Sequence, residues 1–410
     1  MRQKRDILFL GQYFYPENNS SATLPADTAR YLAQHGFTVD ALVGYPGEYC
    51  KEKDIPRKET VDGVNIRRIR YLRMNRTTRI GRLINYFSFI LSAMLHVFRL
   101  RNYKSVIVYS NPPLLPLVAI VGNILFGTKI VFVAYDIYPE IAYASGNIRP
   151  GSIMDKTMKW LNRLLYRRVS KVVALTEEMK QFLLKNRPEI TEDRIDVIAN
   201  WAHEKTCLAD EGAFQTFGYE NETFVVSYFG NLGICQDIES ILGAADILKD
   251  EQNIRFLIVG HGSKMDYVAD RCREGQLENV QLLGFLTGAR FEQAVAISAC
   301  CIVSMEKGLK GMCAPSKFYS YLQGGKPVLA VVEEGSYLQE EVTEAQIGKA
   351  VRSGDAAGLA AAIRELAWDR KTCCEMGQRA QTLYAAQYAI EIGLGKYAEA
   401  FTNLIKQDGV

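Results

Sequence analysis

The sequence predicts an α/β protein built from two doubly wound, parallel-sheet units. Three observations carry that expectation. A chain of 410 residues exceeds what one hydrophobic core usually serves. Short, fully apolar runs alternate with helical patterns, as parallel strands covered on both faces do. The polar stretch Asn200–Glu222 then breaks the rhythm, and the same alternation starts afresh. These features place one domain at 1–200 and a second at 201–387, with a last helix at about 388–410 able to pack back on the first.

The elements follow in order. Asp6–Gly11 is uninterruptedly apolar only from Ile7 to Leu10, far too short for a signal-peptide core, and reads as a buried strand. Ala22–Gly36 reads as a helix, with Leu24, Ala29, Leu32 and Ala33 at helical spacing and Gly36 as its stop. Phe37–Gly44, Asn65–Tyr71, Lys104–Tyr109, Lys129–Tyr135 and Lys171–Thr176 complete a set of six strands. In the second half, strands at Thr223–Gly230, Arg255–Gly260, Val280–Gly284, Ala299–Ser304 and Pro327–Val332 alternate with helices. Those helices fall near Asp237–Lys249, Lys264–Glu274, Phe291–Ile297 and Ser316–Gln323. Ligands bind beyond the carboxyl ends of such strands, so two domains facing across a cleft would each offer their loops to it.

Composition narrows the function. Charged residues at 23% and apolar ones at 48% exclude a disordered chain or a fibre. With 49 basic against 46 acidic residues, the chain as a whole is no nucleic-acid coat. The balance is uneven along the chain, however. Arg57–Lys104 holds twelve basic and two acidic residues, and a second basic run extends from Arg149 to Lys171. A solvated face and attraction to anionic lipid both fit this pattern. Leu83–Phe98 has no formal charge over sixteen residues and is flanked by Arg82, Arg99 and Arg101; Pro112–Phe126 is similarly apolar. Both fall short of the roughly 20 residues that cross a bilayer, which leaves a buried helix or one lying in the interface. Nine cysteines without a C-x-x-C pair suggest reduced thiols in a cytoplasmic protein, and four isolated histidines argue against a metal site.

Three glycine-bearing turns end strands of the second half: Gly230, Asn231 and Gly233; Gly260 and Gly262 around His261; and Gly284. Small residues there let backbone N–H groups approach a phosphate. None matches G-x-G-x-x-G or the Walker A pattern, so NAD-type and ATPase readings lack their signatures. In Ala314–Val332, Pro315 suits a helix start, Ser316 can cap or donate, and Lys317 adds a cation where a helix start favours anions. A cation beside free N–H groups suits a diphosphate leaving group. In the first half, Asp136 and Glu140 follow a strand's carboxyl end, where either can orient an acceptor hydroxyl or take its proton. Each also has a structural reading, Asp136 as a turn cap and Glu140 as an arginine's partner. The loop Gly11–Thr23 is rich in aromatic and amide groups, and Ser20, Ser21 and Thr23 can bond a sugar or phosphate; the Ser110–Pro113 turn closes another strand in the same way.

Together the motifs resemble the family 4 glycosyltransferases of GT-B fold, and within them the bacterial polysaccharide-assembly branch. The likeness rests on YFYPE, Gly36-Phe37-Thr38-Val39, SNPP, DIYPE at Asp136–Glu140 and ANW at Ala199–Trp201. It continues through GNLG, VGHG, PSKFYSYL and GGKPV. The resemblance implies a nucleotide-sugar donor, UDP-linked, on the second domain and an acceptor on the first. It also implies transfer with retention and without a metal ion or other cofactor. Donor contacts would come from Gly230, Asn231, Gly233, Gln236, Gly260, Gly262, Phe285, Glu306, Lys307, Ser316, Lys317 and Tyr321. Acceptor contacts would come from Tyr15, Glu17, Asn19, Ser20, Ser21 and Asn111, with Asp136 and Glu140 as catalytic candidates. The chain departs from the family pattern at three places. Met312 and Ser320 stand near the paired-glutamate positions, Gln236 where a basic residue is common, and Ala134 and Tyr135 where a histidine often precedes the aspartate.

The expected activity is transfer of a sugar to a lipid-linked glycan by a peripheral enzyme on the inner face of the plasma membrane. A nucleotide-sugar epimerase of the same fold, or a non-catalytic membrane-associated partner subunit, remains an alternative at this level.

Overall fold

The computed structural model describes residues 3–47, 50, 54–75, 78–202 and 212–406. They form two compact units, one of residues 1–200, 311–314 and 390–410, the other of 201–310 and 315–389. Arg76 of the basic region lies outside the described residues.

The first unit is an eight-stranded sheet of β1 (Arg5–Gly11), β2 (Val39–Gly44), β3 (Lys58–Val61), β4 (Val64–Ile69), β5 (Tyr103–Tyr109), β6 (Lys129–Ala134), β7 (Lys171–Ala174) and β8 (Ile195–Val197). Its order is β3-β4-β2-β1-β5-β6-β7-β8. All neighbours are parallel except the β3–β4 hairpin. Register sets Leu8 beside Val106 and Ile7 beside Val39, so β1 is buried on both sides. Helices Arg79–Met94, Pro116–Phe126 and Ile153–Arg168 cover one face through Phe89, Val118 and Leu161, packed over Leu8, Val106 and Phe132. Helix Ser20–Gln34 covers the other and packs against helix Ile390–Lys406, so the carboxyl-terminal helix belongs to the first unit.

The second unit is a six-stranded, all-parallel sheet of β9 (Phe224–Asn231), β10 (Ile254–His261), β11 (Val280–Leu283), β12 (Ser298–Ser304), β13 (Val328–Val332) and β14 (Gly348–Arg352). Its order is β11-β10-β9-β12-β13-β14. Both units are therefore doubly wound, as the alternation predicts, with strand order reversing at β1 in the first and β9 in the second. At such points two loops diverge beyond the carboxyl edge and leave room for a ligand.

Both apolar segments are broken up in the fold. Leu83–Phe98 is divided between helix Arg79–Met94 and a 3₁₀ turn, Val97–Asn102. Pro112–Phe126 becomes a helix only from Pro116. Among the described residues no helix is long and apolar enough to cross a membrane. None of the described cysteines is in a disulfide, and burial pushes the Cys301 thiol up to about 12.

Candidate functional site

In the second unit the donor candidates converge at the carboxyl edge of the sheet. β9 and β10 run in register to their last residues, which sets Gly260 beside Gly230 and His261 beside Asn231. The approach is close: a Cβ on Gly260 would lie 1.9 Å from the Gly230 carbonyl oxygen. Gly262 has φ +150°, and a Cβ there would lie 2.3 Å from the Leu232 carbonyl oxygen, so only glycine fits without shifting the loop. The Gly233 N–H donates to Gln236 Oε1 at 3.1 Å, closing the turn after β9. Glu306 N donates to the Cys235 carbonyl at 2.9 Å, which joins the loop after β12 to the same turn. The exposed ring of Phe285 meets His261 edge-on at 5.2 Å. Lys307 is exposed, with its Nζ next to Gly354.

Lys264 is the group the sequence reading passed over. Its Nζ donates to the Gln236 carbonyl at 3.0 Å and pairs with Glu306 Oε1 at 3.3 Å. The turn where the family commonly has a basic residue therefore receives a cation from the neighbouring strand's loop instead. The one signal for it was a lysine two residues past Gly262, at a helix start. Glu306, expected among the donor contacts, is thus the ion-pair partner of Lys264.

Lys317 opens helix Lys317–Gln323, and its Nζ stands 4.3 Å from the centre of the Phe291 ring. An ammonium over a ring face is attracted by the negative face of the ring. Two expectations about this helix are corrected. Ser316 is itself in the helical region (φ −64°, ψ −27°), and its side chain makes no capping hydrogen bond. Tyr321 is buried and cannot touch a donor. Its hydroxyl accepts from Phe229 N at 3.1 Å and donates to Phe229 O at 3.0 Å, tying the helix to β9. Ser320, near a family glutamate position, is likewise buried.

In the first unit the candidates line the carboxyl edge around β1 and β5. Asp136 is half-buried. Its N–H donates to Ser110 Oγ at 3.1 Å, and its backbone bridges Cys313. Ile137 N also donates to the Met312 carbonyl at 2.8 Å, so residues near the family's first glutamate position serve here to extend β6. No described residue donates a hydrogen bond to the Asp136 carboxylate, and burial alone raises it to about 6. Asn111 follows Ser110 in the neighbouring loop and is half-buried.

Glu140 is corrected. Its carboxylate accepts from Arg187 Nη2 at 2.6 Å, and the same guanidinium donates to the Tyr138 carbonyl. It is an arginine's partner, the alternative the sequence left open. Glu17 is also displaced from a direct acceptor role. It is buried, accepts from Gly47 N at 3.2 Å, and braces the loop after β1 against that after β2. Burial pushes its carboxyl up to about 7, outweighing the Gly47 bond and the nearby Arg73 and Arg68. Tyr15 is half-buried under the Arg30 guanidinium, 4.9 Å from its ring centre. Asn19 precedes helix Ser20–Gln34 without capping it, and its Oδ1 is buried with no partner among the described residues. Gln12, in the same loop, is buried beside the Tyr71 hydroxyl. Ser20 is exposed and Ser21 half-buried in the helix's first turn.

Two doubly wound units, each with a ligand-type loop cluster at its switch point, constitute the GT-B architecture of sugar transferases. The comparisons agree. Residues 22–201 match the family model for a glycosyl transferase 4-like domain, and 223–369 that for glycosyl transferases group 1. A curated Pseudomonas aeruginosa protein named "Probable glycosyltransferase WbjE" is 26% identical over 346 residues, 83% of this chain and 85% of its own. Sucrose-phosphate synthase from Thermosynechococcus elongatus superposes with TM-score 0.77 at 15% identity, covering 98% of this chain and all of the other. Anabaena HepE, solved in complex with UDP-glucose, gives 0.69 at 17% identity over 97% of this chain and all of its own. The chain belongs to the family 4 glycosyltransferases and is a glycosyltransferase of GT-B fold.

Proposed function

We propose that this glycosyltransferase moves a sugar, with retention of configuration, from a nucleoside-diphosphate sugar to a lipid-linked glycan during cell-surface polysaccharide assembly. The acceptor is met at the inner face of the plasma membrane. The observation that carries the donor half is the placement of two lysines from separate loops, Lys264 and Lys317, at the carboxyl edge of the second sheet. The UDP-glucose complex of HepE, a protein of like fold, supports a UDP-linked donor.

The chemistry follows from the residues. As the bond between the sugar C1 and the diphosphate oxygen breaks, its electron pair passes to the diphosphate. The cations of Lys264 and Lys317 and the N–H groups of the Gly230–Gly233 turn offset that charge. The acceptor oxygen forms the new bond to C1 on the same face that the diphosphate leaves, which keeps the configuration. Asp136, to whose carboxylate no described residue donates, holds the acceptor hydroxyl and receives its proton.

A thermal-shift screen against UDP-, GDP- and dTDP-sugars tests the donor half. A ligand at a hundred times its dissociation constant stabilises by about 2.7 kcal/mol. A shift with one nucleotide class, reduced in Lys264→Ala, supports the reading. Indifference of wild-type protein to all three classes would overturn it.

A further inference from the structure

Helix Arg79–Met94 is apolar on two opposite sides. Phe89, Ile90 and Ala93 are buried in the core of the first unit. Ile80, Leu83, Phe87, Leu91 and, just past the helix end, Leu95 recur every three or four residues and form one stripe along the outside. Phe98 extends it into the 3₁₀ turn. Exposure is 72% at Ile80 and 84% at Leu95, where a surface helix normally carries polar groups. The patch continues sideways. Phe98 packs against Phe126 at 5.9 Å, and Ile124 and Leu125 of that neighbouring helix are also exposed. Helix Ile153–Arg168 packs on the far side of Pro116–Phe126 and adds an exposed Trp160. Of eighteen large apolar side chains exposed among the described residues, thirteen belong to the first unit.

The charge around this patch is of one sign. Between Asp62 and Asp136 the sequence has eleven lysines and arginines and no acidic residue. Arg82, Arg99 and Arg101 are exposed, and among the described residues none has an acidic partner. Arg99 and Arg57 add repulsion to burial in holding the Arg67 guanidinium below its ordinary value. A second copy of the chain suits this face poorly, because a two-fold contact would press like charges together. An anionic lipid surface fits both features, with tails for the stripe and headgroups for the arginines.

We propose that helix Arg79–Met94 and the turn after it lie in the plane of an anionic bilayer, with the stripe inserted at the boundary between headgroups and acyl chains. The orientation has a consequence for the site. The amino-terminal end of the helix is tied to the loop after β4, where Met74 N donates to Asn85 Oδ1 and Arg73 Nη1 to the Pro46 carbonyl. Leu72 and Met74 are exposed there too, so the apolar surface reaches the sheet edge that holds the acceptor candidates. A lipid-borne acceptor enters from that end. This last step rests on the proposed lipid-linked acceptor, whereas docking itself does not.

The test is co-sedimentation of the full chain with phosphatidylcholine vesicles, with and without phosphatidylglycerol. Wild-type protein should pellet with the anionic vesicles and be released by salt. Leu91→Ser, Leu95→Ser and Phe98→Ser combined should lower partitioning by at least about tenfold, as should Arg82→Gln, Arg99→Gln and Arg101→Gln combined. A control set, Leu91→Val, Leu95→Val and Phe98→Leu, should keep vesicle binding. Both polar sets alter exposed side chains and should keep the wild-type melting profile and nucleotide-sugar shift. Partitioning unchanged by the serine set, or an apolar-dependent dimer in place of vesicle binding, would overturn the proposal. Vesicle binding with no sugar transfer to a lipid-linked acceptor in those vesicles would leave the docking surface standing and remove the lipid-linked acceptor.

Discussion

Asp136→Asn separates what this carboxylate does for catalysis from what it does to stability, because the two effects have opposite signs. The side chain is half-buried and receives no hydrogen bond from a described residue, and burial alone lifts it from the usual 3.8 to about 6. Its native pKa exceeds its unfolded one, so the native state favours the protonated form. Its contribution to stability is full below about pH 3.8 and is lost as pH rises through about 6. Above that, ionised Asp136 opposes folding by up to about 3 kcal/mol. Asparagine has nearly the same shape and no charge. The variant should therefore be more stable than wild type at pH 8 and indistinguishable from it near pH 4. Transfer should fall by about 10²–10⁴-fold with nucleotide affinity unchanged. Urea titrations at pH 8 and pH 4, with initial rates across pH 5–8, read both effects. Wild-type rates should drop on the acid side with a midpoint near 6. If Asp136→Asn is less stable at pH 8, or wild-type rates stay flat through pH 5, the carboxylate is held by contacts other than those described, and the base assignment fails.

Four further outcomes follow from the geometry. Glu140→Gln should leave the transfer rate near wild type, whereas Arg187→Ala, which strands a partly buried carboxylate, should cost about 3–5 kcal/mol in denaturant titration. Tyr321→Phe should lose about 1–3 kcal/mol of stability through two missing hydrogen bonds; nucleotide affinity reduced with no stability change would mean that its hydroxyl reaches the donor. Lys264→Ala should weaken nucleoside-diphosphate binding roughly tenfold or more by calorimetry, with little change in uridine binding. Gly262→Ala should impair the same binding by moving the turn after β10, and an unperturbed affinity would show that the close approach is not needed.

The strands that the sequence reveals and those it hides differ in one physical respect. A central parallel strand is covered on both faces and reads as an unbroken apolar run, as Ile7–Leu10 and Phe224–Val226 do. β3, β8 and β14 escaped notice, and all three lie at sheet edges. Their sequences, KETV, IDV and GKAVR, keep charged residues because one side of each strand faces no neighbour. The segment 311–314 was hidden for another reason. It sits within the second domain's stretch of chain yet extends β6 of the first unit through the Asp136–Cys313 bridge, a pairing between residues far apart in sequence.

The site divides along the same line. Glycine turns and helix starts are local, so Gly230, Gly260, Gly262 and Lys317 were legible as strand-end turns and a helix start from a few neighbouring residues each. Roles fixed by a distant partner were not. Glu140 reads equally as a catalytic acid or an arginine's partner until Arg187, 47 positions on, takes its carboxylate; Tyr321 looks like a ligand contact until Phe229, 92 positions back, takes its hydroxyl. Lys264 shows the converse. Its charge was visible and its destination was not, because only the pairing of β9 with β10 brings it beneath the turn at Gln236. The turn at Gln236, which lacks the family's basic residue, therefore still has a cation beside it, because a parallel sheet sets adjacent loops side by side at its carboxyl edge and Lys264 reaches across from the next one.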